Sequence, residues 1–178
     1  MIPASSPFAL LQDYDSRCRN NARGLPTGTK VVEDWVGIGF KLAGTRLIAP
    51  MSQVAEILPP PATIRVPGVA SWVKGLANIR GNLMPVLDMN LFLNSHAVDK
   101  RNDSRILIID RGGVVAALLV EEVFGLRRFK PDMRKELDAS GTGSLEPYLD
   151  GAFKDDVNVW NIFSVDRLVQ HEQFLKVV

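Results

Sequence analysis

From Val36 onward the sequence consists of short strand-like runs separated by glycine- or proline-containing turns, and this pattern limits the choice of fold. The first run, 36–42, alternates apolar residues with glycine or lysine, as expected of a half-buried strand. Ala43 and Gly44 then form a turn into a second run at 46–49. Short β-strands at regular spacing favour small barrels over an open α/β sheet.

A faint internal repeat indicates that there are two such β units. A strand, a glycine-containing turn and a second strand lead into VAEI at 54–57, and the same order leads into VFGL at 123–126. Further along, Gly75 in KGLANI corresponds to Gly151 in LDGAF. The repeat predicts two small β units that pack together.

The N-terminal segment is typical of a helix. Ser6 is a suitable N-cap, Pro7 is a suitable first helical residue, and apolar residues follow at three- or four-residue spacing as far as Cys18. A polar stretch at 26–34 is typical of a linker. The helix could dock on the rest of the chain or on a partner.

These signals predict two regions. Residues 1–34 form the N-terminal helix and linker, and residues 35–170 form a β domain whose approximate halves are 35–94 and 105–168. Ser164 is placed to cap a short C-terminal helix.

Charge and cysteine content exclude several classes of protein. The formal net charge is only +1, from 21 Lys and Arg against 20 Asp and Glu, so the basic excess of most nucleic-acid binders is missing. One cysteine, Cys18, permits neither an intrachain disulfide nor a cysteine zinc cluster. The aliphatic run 114–120 is far shorter than the ~20 residues that span a bilayer. We therefore expect a cytoplasmic protein without direct membrane insertion.

No pattern in the sequence indicates catalysis. The two histidines, His96 and His171, have no second ligand or nucleophile at a suitable spacing. Glu121 and Glu122 are neighbours, so in a strand they point to opposite faces. Asp88 is better placed to cap a short helix than to act as an acid. We predict no catalytic, cofactor-binding or metal-binding residues, although an enzyme whose site includes His96 or His171 remains an alternative.

A binding role has better support. Arg80 and Gly81 form a turn between two apolar runs, and Glu56 follows Val54 by two residues, which places both on one face of a strand. A charge beside an apolar contact is a common docking pair. The alternative is that Arg80 and Glu56 form an ordinary surface ion pair worth ~0–1 kcal/mol. The residue types alone leave both possibilities open.

Several motifs in the sequence resemble the CheW-like family over residues 35–168. The matching residues are Val54, Glu56, Ile57, Val73, Gly75, Asn78, Arg80, Gly81, Pro85, Val86, Asp88, Val120 and Val123. Glu121 departs from the family pattern, which has aspartate there. The N-terminal SPFALLQDYDSRCR and the phrase SWVKGLANIRG look most similar to family members from type IV pilus twitching motility.

This resemblance implies a mainly β fold of two five-stranded SH3-like barrels around a shared apolar core, with an N-terminal helix and a short C-terminal helix. It also implies a non-catalytic adaptor that couples the cytoplasmic tip of a chemoreceptor to the regulatory domain of a CheA-like histidine kinase. The implied receptor groove lies near Val54, Glu56, Arg80 and Gly81. Recruitment to the inner membrane would come through the receptor, and weak self-association in arrays is a further implication. The alternative function is a small β-barrel that binds nucleic acid.

Overall fold

The computed structural model describes residues 6–21, 34–93, 96–97, 103–137, 142–155 and 157–176. The chain divides into two compact units, Met1–Val32 and Glu33–Val178. In the first, helix α1 spans Pro7–Asn21. The predicted N-cap is confirmed, since the Ser6 hydroxyl accepts the Ala9 N–H at 3.3 Å. Most of the predicted linker lies outside the described residues.

The second unit is built mainly from strands. The described strands are β1 Trp35–Leu42, β2 Thr45–Pro50, β3 Glu56–Leu58, β4 Val73–Ile79, β5 Asn82–Asp88, β6 Arg105–Arg111, β7 Val114–Val120, β8 Glu122–Phe129, β9 Arg134–Lys135, β10 Leu149–Lys154 and β11 Val159–Phe163. The described helices are α2 Met89–Phe92, α3 Val165–Gln170 and α4 Glu172–Leu175, with 3₁₀ turns at Met51–Gln53, Pro131–Met133 and Gly143–Tyr148.

Two helix caps in this unit were predicted correctly. The Asp88 carboxylate accepts the Leu91 N–H at 3.2 Å, at the start of α2. The Ser164 hydroxyl accepts the Arg167 N–H at 3.3 Å, at the start of α3. In both cases a short polar side chain satisfies an N–H group that has no partner within its own helix.

The strands form two sheets, which confirms the predicted mainly β fold of two small units. One sheet has the order β8-β1-β2-β11-β10-β9 and the other the order β3-β6-β7-β5-β4. The first has one strand more than the expected five, because the two-residue β9 pairs with β10.

Each sheet takes strands from both predicted halves of the chain. The hairpin β1–β2 pairs with strands β8 and β11, and the hairpin β6–β7 pairs with β3 and β5. The chain crosses from the first sheet to the second after β2, where the Ala55 N–H donates to the carbonyl of Ile108 in β6 at 2.8 Å. The two sheets therefore have matching strand orders and interleaved connections.

Three apolar clusters account for the core. The largest lies between the sheets and also holds side chains of α2, α3 and α4. Two smaller clusters each belong to one sheet. Strand β6 shows the arrangement, since Leu107 and Ile109 face the shared core while Ile106 and Ile108 face the interior of their own sheet. Burial on both faces explains why this strand is a continuous apolar run.

Two glycines in β1 make room for tryptophans. A Cβ atom at Gly37 would lie 2.5 Å from the carbonyl oxygen of Ala49 and 2.6 Å from the Trp35 ring, and one at Gly39 would lie 2.9 Å from the Trp160 ring. Trp160 is buried. The glycines therefore serve close packing within a strand.

Asp155 fixes the turn between β10 and β11. Its carboxylate accepts the Trp160 indole N–H at 2.9 Å and the N–H groups of Val157 at 2.9 Å and Asn158 at 2.6 Å. These hydrogen bonds lower the pKa of Asp155 below its usual value, and the bond from Trp160 has the largest effect. A lowered pKa in the folded state means that the stabilisation is present above pH ~4 and is lost as the pH falls through the folded-state value.

We expect Asp155→Asn to cost about 1–2 kcal/mol of unfolding free energy at pH 7, because the amide oxygen can accept on one side only and the amide NH2 then faces either the turn N–H groups or the Trp160 N–H. The variant should also lose less stability than the wild type on acidification below pH ~4. Urea unfolding at several pH values measures both quantities. Asp110→Asn, at an exposed position in β6, is the control. Equal stability of wild type and Asp155→Asn at pH 7 would contradict the assignment.

Candidate partner-binding site

The β4–β5 hairpin ends in a tight turn with an unusual residue at its first central position. Arg80 and Gly81 both have positive φ, +52° and +88°, as in a type I′ turn. The Asn78 side-chain oxygen accepts the Gly81 N–H at 2.8 Å and fixes the turn. Asn and Gly adopt this conformation easily, whereas other residues pay about 1–2 kcal/mol for it. Arg80 is therefore not the residue that turn stability alone would favour.

The Arg80 guanidinium forms an ion pair with the carboxylate of Glu56, and their side chains are 73% and 28% exposed. Glu56 begins β3 and Arg80 follows β4, the two outer strands of the five-stranded sheet. The pair thus connects the two edges of that sheet. A surface ion pair of this kind is worth ~0–1 kcal/mol, so it does not clearly offset the cost of the turn.

Val54 does not share a strand face with Glu56, contrary to the sequence prediction. Strand β3 begins only at Glu56. Val54 packs against the shared core, while Leu58, on the same strand face as Glu56, packs against the interior of its sheet. The turn at 51–53 precedes β3, so the alternation of a strand does not extend back to Val54. The structure brings Glu56, Arg80 and Gly81 together and places Val54 at the core.

Exposed apolar side chains also lie on or beside the six-stranded sheet, and none was predicted as a contact from the sequence. Leu126 in β8 is 47% exposed, and Met51, directly after β2, is 55% exposed. Leu126 in β8 pairs with Ile38 in β1, and Ile38 pairs with Ala49 in β2. Ile38 and Ala49 belong to the shared core, so Leu126 lies on the sheet face that covers that core. The sequence repeat includes Leu126 in its segment at 123–126, but nothing local indicated that β8 lies at the edge of its sheet. We call Met51 and Leu126 the apolar rim.

Glu121, the departure from the family pattern, has a structural role. Its carboxylate accepts the Asn90 side-chain amide at 2.9 Å and the Gly44 N–H at 3.1 Å, and Lys41 Nζ lies 3.7 Å away. Asn90 in turn accepts the Ala43 N–H at 2.9 Å. These bonds tie the β1–β2 turn to α2.

The described residues contain no group of three His, Cys, Asp or Glu side chains that could hold a metal ion. His96 is exposed, and the His171 ring packs against Tyr148 at 5.3 Å between centroids. Val54 lines an apolar void of about 10 Å³, which is smaller than any organic ligand. Among the helices that the structure describes, none has the length and apolar character needed to cross a bilayer.

Comparisons with known proteins agree with this geometry. The family model described as CheW-like domain matches residues 36–173. The chain is 40% identical to protein PilI of Pseudomonas aeruginosa over 177 residues, 99% of each chain. It is 27% identical to the chemotaxis protein CheW of Helicobacter pylori over 93 residues, 52% of this chain and 56% of that protein. The crystal structure of the scaffolding protein TtCheW from Thermoanaerobacter tengcongensis has the same fold, with a TM-score of 0.68 at 21% identity, covering 79% of this chain and 95% of the other.

Proposed function

The chain belongs to the CheW-like domain family, and we propose that it is a non-catalytic adaptor that couples a chemoreceptor's cytoplasmic tip to the regulatory domain of a CheA-like histidine kinase. Similarity to PilI along nearly the whole chain supports a role in the chemosensory pathway that controls twitching motility by type IV pili.

The observation that carries this proposal is the conformation of Arg80. A residue in a costly backbone conformation, with a largely exposed side chain, is a candidate for a function other than stability. Its guanidinium keeps most of its surface free for a partner although it already contacts Glu56. A planar guanidinium with several donors can contact a second acceptor while it keeps the first.

We propose that the apolar rim and the Glu56–Arg80 pair belong to one surface that suits a helical partner. Apolar contacts supply most of the affinity of such an interface, and flanking charges set register and specificity. Met51 and Leu126 provide the exposed apolar area, and Glu56 and Arg80 provide the charges. We assign this surface and Gly81 to the receptor tip. Val54 packs against the shared core, so we assign it a role in holding the adjoining segment in place. The kinase domain then binds at the strand-rich end of one barrel.

Co-purification tests the proposal directly. The full chain is mixed separately with the receptor tip and with the kinase regulatory domain from the same organism, and complexes are measured by size-exclusion chromatography with light scattering. We expect a complex with each partner and a ternary complex when all three are present. Absence of both binary complexes would contradict the proposal.

A further inference from the structure

The segment that carries Met51 and Val54 has little backbone support of its own. Strand β2 ends at Pro50 and β3 begins at Glu56. Between them, the bond that closes the 3₁₀ turn, from the Val54 N–H to the Met51 carbonyl, is long at 3.4 Å. The backbone is held again at Ala55, whose N–H donates to the Ile108 carbonyl at 2.8 Å, so the position of residues 51–54 depends mainly on side-chain contacts.

The side chain of Gln53 provides such contacts at both ends of its amide. Its oxygen accepts the Val165 N–H at 2.8 Å, and its nitrogen donates to the Asp166 carboxylate at 2.8 Å. Both partners lie in α3, more than 100 residues further along the chain. An amide is the group that can accept from a backbone N–H and donate to a carboxylate at the same time.

Asp166 is itself held from a third element. The Arg111 guanidinium, at the end of β6, donates two hydrogen bonds to the Asp166 carboxylate, at 2.9 and 3.1 Å. Such bidentate pairs fix orientation as well as distance. Both side chains remain partly exposed, 37% for Arg111 and 44% for Asp166, so solvent weakens their effect on overall stability.

We infer that Gln53, Asp166 and Arg111 form a polar clamp that positions residues 51–54 for partner binding. Gln53 is a positioning residue, because it acts through the placement of Met51 and Val54. The binding consequence rests on the proposed function, whereas the positioning itself does not. The clamp also connects the proposed docking segment to the β6–β7 hairpin and to the C-terminal helices.

A reversal of the donor and acceptor tests the clamp. Gln53→Glu keeps the acceptor for Val165 but places a carboxylate against Asp166, so the segment should be released. Adding Asp166→Asn restores a matched pair with the roles reversed, because the new amide at position 166 donates and the new carboxylate at position 53 accepts. The carboxylate at position 53 also gives Arg111 an anionic partner within the clamp. Gln170→Glu, the same chemical change at an exposed position in α3, is the matched control.

Hydrogen exchange of the full-length protein measures the positioning. We expect the Val54 and Ala55 amides to exchange about tenfold faster in Gln53→Glu, and to return towards the wild-type rate in the double variant, while Gln170→Glu changes neither. Amides in β4 and β10 should keep their wild-type rates in every variant. Unchanged exchange at 54–55, or a uniform increase over the whole domain, would overturn the clamp.

Titration with the receptor tip measures the consequence for binding. We expect about a five- to tenfold loss of affinity in Gln53→Glu and recovery in the double variant. Faster exchange at 54–55 without a loss of affinity for the receptor tip would overturn the role of the clamp in binding. If the wild type does not bind the tip, the proposed function fails, while the exchange experiment still decides whether the clamp exists.

Discussion

Arg80→Glu is expected to weaken receptor-tip binding at least about 30-fold, equivalent to about 2 kcal/mol, while the fold is retained. The substitution replaces a donor at the tip of the β4–β5 hairpin with a carboxylate that faces Glu56. Two like charges at this position repel each other and also repel an acidic group on the partner. Isothermal titration calorimetry with the receptor tip and with the kinase regulatory domain gives the affinities, and circular dichroism verifies the fold.

A second substitution at the same position separates binding from stability. Asparagine favours the positive φ of a type I′ turn, so Arg80→Asn should leave the unfolding free energy unchanged or raise it by up to about 1 kcal/mol. The same variant should bind the receptor tip more weakly, because the guanidinium is lost. A variant that is more stable and less active would show that Arg80 is kept for recognition.

The control for charge is Lys135→Glu, which reverses an exposed cation in β9 of the other sheet. We expect its affinity for the receptor tip to stay within about twofold of wild type, since an exposed charge outside an interface contributes little. Unchanged affinity of Arg80→Glu for both partners would mean that the docking surface lies elsewhere. An equal loss in Lys135→Glu and Arg80→Glu would indicate a nonspecific charge effect.

Gly75→Ala is expected to destabilise the domain by about 3–4 kcal/mol. Gly75 has φ +136°, and a Cβ atom there would lie 2.2 Å from the carbonyl oxygen of Ile64. Ile64 and Leu76 exchange two backbone hydrogen bonds, at 2.8 and 2.9 Å, and the Cβ would push them apart. Because the obstacle is backbone, no side-chain rotation can relieve the clash.

Gly113→Ala separates the close approach from the backbone conformation. Gly113 also has positive φ, +79°, but a Cβ atom there would meet no atom within 4 Å. The unfolding free energy of this variant should fall by only about 1–2 kcal/mol, which is the cost of placing alanine at a positive φ. Urea unfolding of both variants gives the difference. Equal losses would show that contact with Ile64 contributes nothing.

The internal repeat seen in the sequence has a physical basis at this glycine. Gly151 in β10 has φ +132°, and a Cβ atom there would lie 3.1 Å from the carbonyl oxygen of Lys135. Gly75 and Gly151 thus occupy matching positions, each where another backbone segment approaches an outer part of its sheet. The correspondence between the two glycines is visible in the sequence, and the close approach of a second backbone segment explains it.

Features decided by a few neighbouring residues were predicted well. The caps at Ser6, Asp88 and Ser164, the glycine turns and the alternation in β1 depend on contacts within one turn or one hairpin. Local geometry leaves few choices for such short segments, so residue type and spacing suffice.

The candidate site was predicted only in part. Arg80 and Gly81 belong to a local hairpin, and an ion pair between Arg80 and Glu56 was one of the two alternatives that the residue types left open. The prediction that Val54 shares a strand face with Glu56 was wrong, because the face on which a side chain lies depends on where β3 begins to pair with β6. Gln53 and Asp166 gave no local signal, since their contact joins residues more than 100 positions apart.

Residue type and spacing were enough to predict the β1–β2 hairpin, the turns, the caps and the presence of two similar β units. The crossing of β3 and β8 to the opposite hairpins, seen in the pairs Ile57–Leu107 and Ile38–Leu126, became evident only from the folded chain. Periodicity shows that a strand has an apolar face but not which other apolar face covers it. That choice depends on the combined burial of both sheets in one shared core, which is a property of the whole chain.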